Sequence, residues 1–251
     1  MELLVYAIVS AKNNPEKLFS LLPGIKGISG TSLFSVPFDE VIAVVCEINR
    51  IDLNANQSDA IEYARVIESL AEDFALLPMR FGSVMESTQA VHSMLERNLN
   101  EILKNLEKVD HKCEFGIKIF CDYEKIRSDL KVKTENIVKP NSEPGQGTKS
   151  SIYFDYVNQK LKEHRLEELL MTFVDSVIAE IKERLARLNS ENKIRKIGAE
   201  KNIIDVVFLF KKDNKDELIK MVESIQNQYA GIKFVLTGPW PPYSFIDITI
   251  K

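Results

Sequence analysis

Apolar positions along this chain alternate between two periods, and each period predicts a different kind of element. From Leu3 to Val9 every position is apolar, which predicts a strand covered on both faces. Asn14-Pro15 opens a short helical stretch, and Pro23-Gly24 closes it. Thr31–Val36 and Val41–Ile48 read as two strands around a turn at Pro37-Phe38-Asp39-Glu40. Ser58 is a candidate N-cap, with Asp59 and Glu62 in the first turn. Ala60, Tyr63, Ala64, Ile67, Leu70, Ala71 and Phe74 then follow i, i+3, i+4, i+7 spacing, the stripe of an amphipathic helix ending before Pro78. Leu77–Val84 reads as a short extended link. A second helix is predicted over Ser87–Leu106, with Val91, Leu95, Leu99, Ile102 and Leu106 inward. Glu114–Asp122 predicts a strand with Phe115, Ile117, Ile119 and Cys121 on one face, and Tyr123–Leu130 a short helix.

The pattern breaks at Lys139-Pro140-Asn141-Ser142-Glu143-Pro144-Gly145-Gln146-Gly147-Thr148, which is rich in turn formers and poor in apolar residues. This predicts an N-terminal domain over 1–135, a linker or exposed loop over 136–150, and a C-terminal domain over 151–251. The second domain begins with a long helix, about Ser150–Leu188, striped by Leu166, Leu169, Leu170, Phe173, Val177, Ile181, Leu185 and Leu188. A strand at Ile203–Phe210, a helix at Asp216–Gln228, and strands at Ile232–Thr237 and Tyr243–Ile250 complete it. Strands and helices do not keep a strict βαβ rhythm. The expected fold class is therefore α+β: two domains with mixed sheets and packed helices. The N-terminal part reads as a ferredoxin-like variant, and the C-terminal part as a long helix with a small sheet.

Composition narrows the function classes. The chain has 251 residues, 45% of them hydrophobic and 28% charged, enough apolar material for a sizeable core. A net charge of −4 without a basic stripe argues against a nucleic-acid binder. Three cysteines, Cys46, Cys113 and Cys121, make no disulfide framework and no zinc-type spacing. The first apolar run is short and lacks a basic leader, and no run approaches the ~20 residues that span a bilayer. The expectation is a cytoplasmic protein with no transmembrane segment.

The search for chemistry finds little. Gly145-Gln146-Gly147-Thr148-Lys149-Ser150 superficially resembles a phosphate-binding loop, but its first glycine is missing and Thr148 replaces the second. His92, His111 and His164 are scattered, and no Gly-x-Ser-x-Gly elbow occurs. Asp205 and Asp247 interrupt apolar strands, and outward-facing edge positions explain both most simply. The expectation is no catalytic residue, no metal and no cofactor. Two segments resist a bland reading. Arg80 is a single charge among Met79, Phe81 and Val84; it is either a partly buried residue in a salt bridge or a fork of donors for an acidic partner. Gly238–Phe245 carries three prolines in four positions, the chain's one Trp at 240, and Tyr243 and Phe245. Prolines stiffen such a connector. Trp240 either plugs the core between the last two strands or anchors a partner.

These two segments, Leu77-Pro78-Met79-Arg80-Phe81-Gly82-Ser83-Val84 and Gly238-Pro239-Trp240-Pro241-Pro242-Tyr243-Ser244-Phe245, resemble the signature stretches of the gas vesicle accessory family GvpF/GvpL. The opening Leu4–Val9 and Glu114-Phe115-Gly116-Ile117-Lys118 resemble its start and middle strand. Ser83 stands where relatives commonly have Thr. The resemblance implies a non-enzymatic gas vesicle assembly protein or minor vesicle component, associated with the vesicle. Its implied partner is the apolar main shell protein, GvpA, along with other accessory proteins. Arg80, Trp240, Tyr243 and Phe245 are the candidate partner-binding residues. A ligand-binding protein or enzyme using Arg80 and Asp205 is the alternative.

Overall fold

The computed structural model describes residues 2–12, 14–49, 57–122, 124–126, 128, 164–165, 168–169, 171–173, 175–184, 191–198, 203–229, 231–246 and 248. The predicted linker at 136–150 and the residues 145–150 within it lie outside these. The chain divides into two compact units. The first takes Met1–Phe115, Phe208–Asp213 and Gly238–Lys251, and the second takes Gly116–Val207 and Asn214–Thr237.

The first unit is built on β1 (Glu2–Ser10), α1 (Pro15–Leu21), β2 (Leu33–Phe38), β3 (Val41–Ile48), α2 (Gln57–Asp73), β4 (Leu76–Pro78), β5 (Val84–Met85) and α3 (Thr88–Val109). The strand order is β2-β3-β1-β4, with β5 also on β1, and every described pairing is antiparallel. A βαββαβ chain with that order is the ferredoxin-like arrangement. Pro37 sits in β2, an edge strand, where its missing N–H costs no ladder bond.

The apolar run Leu3–Val9 of β1 has the two-sided cover its sequence predicts. Leu4, Tyr6 and Val9 pack with Leu18 of α1 and Tyr63, Val66, Ile67 and Leu70 of α2. Leu3, Val5 and Ile8 pack with Val91, Leu95, Ile102 and Leu106 of α3 on the opposite face. A bulge in the β1–β3 register between Val5 and Ala7 sets Tyr6 and Ala7 on the same face, so the alternation flips there. Ser87 caps α3, its Oγ accepting from the Ala90 N–H at 3.2 Å. Ser58, the predicted cap of α2, lies inside that helix, which already includes Gln57. Lys212 supplies what α2 lacks at its other end: its ammonium donates to the Ala71 carbonyl and, at 3.1 Å, to that of Glu72.

The second sheet contains β6 (Lys112–Cys121), β7 (Glu191–Gly198), β8 (Ile203–Lys211) and β9 (Ile232–Trp240), in the order β7-β8-β6-β9. The sequence pattern does not predict β7. It is a charged edge strand, without the apolar alternation that marks a buried one. The described residues of the predicted long helix are helical, including 175–184 (α4), where Val177 and Ile181 are buried. In the second unit, Glu180 of α4 pairs with Arg184 and accepts from the Tyr229 hydroxyl just past α5 (Lys215–Gln228). Those contacts hold the Glu180 carboxyl below its usual range, chiefly through the Tyr229 bond. Tyr243–Phe245 form a turn, and Ile246 and Ile248 have no regular structure. The final predicted strand is therefore absent over the described residues, and β9 runs on through Pro239 to Trp240.

Candidate functional site

The first distinctive stretch is a loop thrown off the edge of the first sheet. β4 follows β1 as far as Pro78, opposite Ala7, and the Met79 N–H still bonds the Tyr6 carbonyl at 2.9 Å. Arg80–Ser83 then make a tight turn, closed by the Ser83 N–H on the Arg80 carbonyl at 3.0 Å. Gly82 has φ +85°, the conformation a type II turn requires at that place. The Ser83 carbonyl accepts from Val5 N–H at 2.9 Å, and β5 resumes pairing. The detour lies opposite the bulge of β1.

Tyr63 of α2 holds this detour from beneath. Its hydroxyl lies 2.8 Å from the Val5 carbonyl and 3.0 Å from that of Met79, with those of Tyr6 and Arg80 at 3.3 Å. The Tyr63 ring stacks on Tyr6 at 4.8 Å and receives Phe81 edge-on at 5.3 Å. Burial pushes the Tyr63 hydroxyl well above its ordinary range, so it stays a donor. The Arg80 backbone is thus fixed while its side chain is exposed. No described carboxylate pairs with it, so the partly buried salt-bridge reading of Arg80 does not hold.

The second stretch leaves the end of β9. Gly238 has φ +112°, and a Cβ there would come within 2.7 Å of the Glu114 carbonyl oxygen and 3.2 Å of Trp240 Cδ1. Only glycine fits. Pro241 and Pro242 are buried. The Tyr243 N–H bonds the Pro241 carbonyl at 2.7 Å, and the Phe245 N–H bonds that of Pro242 at 3.1 Å. Glu114, itself only 1% exposed, accepts from the Ser244 N–H at 2.7 Å and from its hydroxyl at 3.0 Å. A carboxylate at such depth requires donors of this kind. Lys108 of α3 donates to the Phe245 carbonyl at 3.1 Å.

Trp240 and Tyr243 are each 42% exposed, whereas Phe245 is fully buried. Trp240 is thus no core plug, and Phe245 anchors the stretch rather than presenting a surface. Partial burial, then the carboxylates of Glu68 and Glu114, push the Tyr243 hydroxyl up to about 12. Tyr243 in turn contributes to the raised Tyr63. Tyr63 thus bonds the Arg80 carbonyl of the first stretch and is influenced electrostatically by Tyr243 of the second. Trp240 is tied in through Gly238 and Glu114.

Sequence reasoning missed three residues that organise this region: Tyr63, Glu114 and Ser244. Glu114 carried a signal, since it is a lone carboxylate between Cys113 and Phe115 in an apolar strand. His92 faces Phe38 edge-on at 5.8 Å, His111 lies 3.8 Å from Asp110, and His164 lies 3.5 Å from Glu168. Cys46 and Cys113 are buried. Asp205 is half-buried on β8, and Asp247 is outside the described residues. Among the described residues no cluster of three or more potential metal ligands occurs, and no helix is long and apolar enough to cross a membrane.

Residues 2–247 match the family described as gas vesicle synthesis protein GvpL/GvpF. The chain is 24% identical over 209 residues to gas vesicle protein F of Streptomyces sp., covering 78% of this chain and 80% of the relative. It is 24% identical over 233 residues to gas vesicle protein L1 of Halobacterium salinarum, covering 87% and 82%. The fold matches the crystal structure of gas vesicle protein GvpF from Anabaena sp. with a TM-score of 0.74 at 20% identity, covering 99% of this chain and 97% of that one.

Proposed function

The chain belongs to the GvpL/GvpF family of gas vesicle synthesis proteins, and from that premise we propose that it binds the main shell protein, GvpA, and limits its aggregation before assembly. Membership itself carries a role in gas vesicle assembly and association with the vesicle. The finer reading rests on one observation: Trp240 and Tyr243 stand 42% exposed on a segment whose Pro241, Pro242 and Phe245 are buried. Aromatic side chains pre-set in this way lose little freedom on binding, which is how interfaces acquire their strongest contacts. A shell subunit rich in apolar surface needs such cover until it joins the wall. Arg80, exposed on its own fixed turn, adds a planar set of donors for an acidic or carbonyl-bearing group of the partner. The action is cover rather than catalysis, and its setting is the cytoplasm.

The test uses purified chain and shell protein together. Co-precipitation and a slower rise of light scattering by the shell protein are expected. No association, with scattering unchanged at molar excess of this chain, refutes the reading. Retention of the chain on washed vesicles in fixed ratio to shell protein would instead identify a permanent wall component.

A further inference from the structure

We propose that Glu114 is a positioning residue that clamps both ends of the exposed aromatic segment and so sets its binding pose. Its backbone carbonyl is the atom against which Gly238 packs, so close that no side chain fits there. Its carboxylate, six positions further along the segment, takes both the N–H and the hydroxyl of Ser244. One strand residue thereby holds the two ends of Gly238–Ser244. Between those ends lie Trp240 and Tyr243, each 42% exposed.

The chemistry explains why this position carries a carboxylate. A buried carboxylate without donors is costly, so the two bonds from Ser244 couple the strand to the turn. Two charge-assisted bonds to one residue fix its orientation as well as its place. An apolar residue at 114 would suit the strand equally well but would take both of these acceptors away from Ser244. The clamp therefore serves the shape of the segment more than the strength of the strand. Its biological consequence rests on the shell-binding reading, while the clamp itself is measured without any partner.

Trp240 is the chain's one tryptophan, so its fluorescence reports on this segment alone. The variants are Ser244→Ala, which removes one of the two bonds, Glu114→Gln, which weakens both, and Ser244→Thr, which keeps both. In the full chain, Ser244→Ala and Glu114→Gln are expected to raise amide exchange at residue 244 about tenfold, the loss of one charge-assisted bond. Trp240 emission is expected to shift to the red and become more accessible to acrylamide. Capture of shell protein is expected to fall by a similar factor, with far-UV circular dichroism unchanged and Ser244→Thr behaving as the parent. Unchanged Trp240 emission and unchanged exchange at 244 in both weakening variants would overturn the clamp. Should Glu114→Gln fail to fold, Ser244→Ala decides alone. Should the parent chain bind no shell protein, the functional reading falls, and emission and exchange still decide the clamp.

Discussion

At Gly238 a single added carbon meets resistance on two counts. Its backbone is left-handed and its missing Cβ would strike a carbonyl oxygen at 2.7 Å. Gly238→Ala is expected to cost about 2–4 kcal/mol in denaturant unfolding, through strain plus displacement of β6 or the segment. Trp240→Ala removes a residue that is 42% exposed. It should cost only about 1–2 kcal/mol, against the ~3–5 of a buried aromatic, while shell capture falls sharply; equal capture by the stable variant excludes Trp240 as an anchor. The tyrosines set a pH limit. Tyr6, Tyr63 and Tyr243 all have hydroxyls raised above the ordinary value of 10.0, by burial first. Above pH 10 the unfolded chain loses these protons while the folded chain keeps them. Stability is therefore full below pH 10 and declines as pH climbs toward 12, where Tyr243 itself ionises. Absorbance of tyrosinate followed alongside circular dichroism should show this, and Tyr243→Phe should soften the early part of the decline.

At the scale of elements, helix α2 is finished by a residue far away in sequence. Lys212→Ala leaves the Ala71 and Glu72 carbonyls without their cation, an expected loss of about 0.5–1.5 kcal/mol, with faster amide exchange confined to the end of α2. Periodicity made several elements legible. The unbroken run in β1, and the stripes of α2 and α3, record which faces meet apolar neighbours, and burial is what those patterns encode. Other features left no such trace. Strand β7 is charged and sits at an edge, where no face needs an apolar stripe. Residues 243–250 alternate like a strand, but Pro242 and the Phe245 N–H close a turn instead. Composition and resemblance singled out Arg80, Trp240 and Tyr243 as candidates. The bonds that organise their surroundings were not, because Glu114 and Ser244 lie 130 residues apart and local spacing carries no record of that pairing.

The molecule as a whole divides into units that do not follow the order of the chain. The ferredoxin-like unit takes in Gly238–Lys251. Within it Ile246 and Ile248 join the apolar cluster of α3, and Phe245 is completely buried. Deleting residues 238–251 should therefore expose α3-facing apolar surface, lower the melting temperature by several degrees, and raise binding of a hydrophobic dye. Melting and dye binding like those of the parent would show that this tail adds nothing to the unit. The pairing of Glu114 with Ser244 also fixes a sequence of events in time. A ribosome adding ~5–20 residues per second delivers Ser244 roughly 7–26 s after Glu114. Throughout that interval the nascent sheet carries an acid with no donor from the tail, and the aromatic face does not yet exist. A growing chain cannot complete this aromatic face until residue 244 has been added.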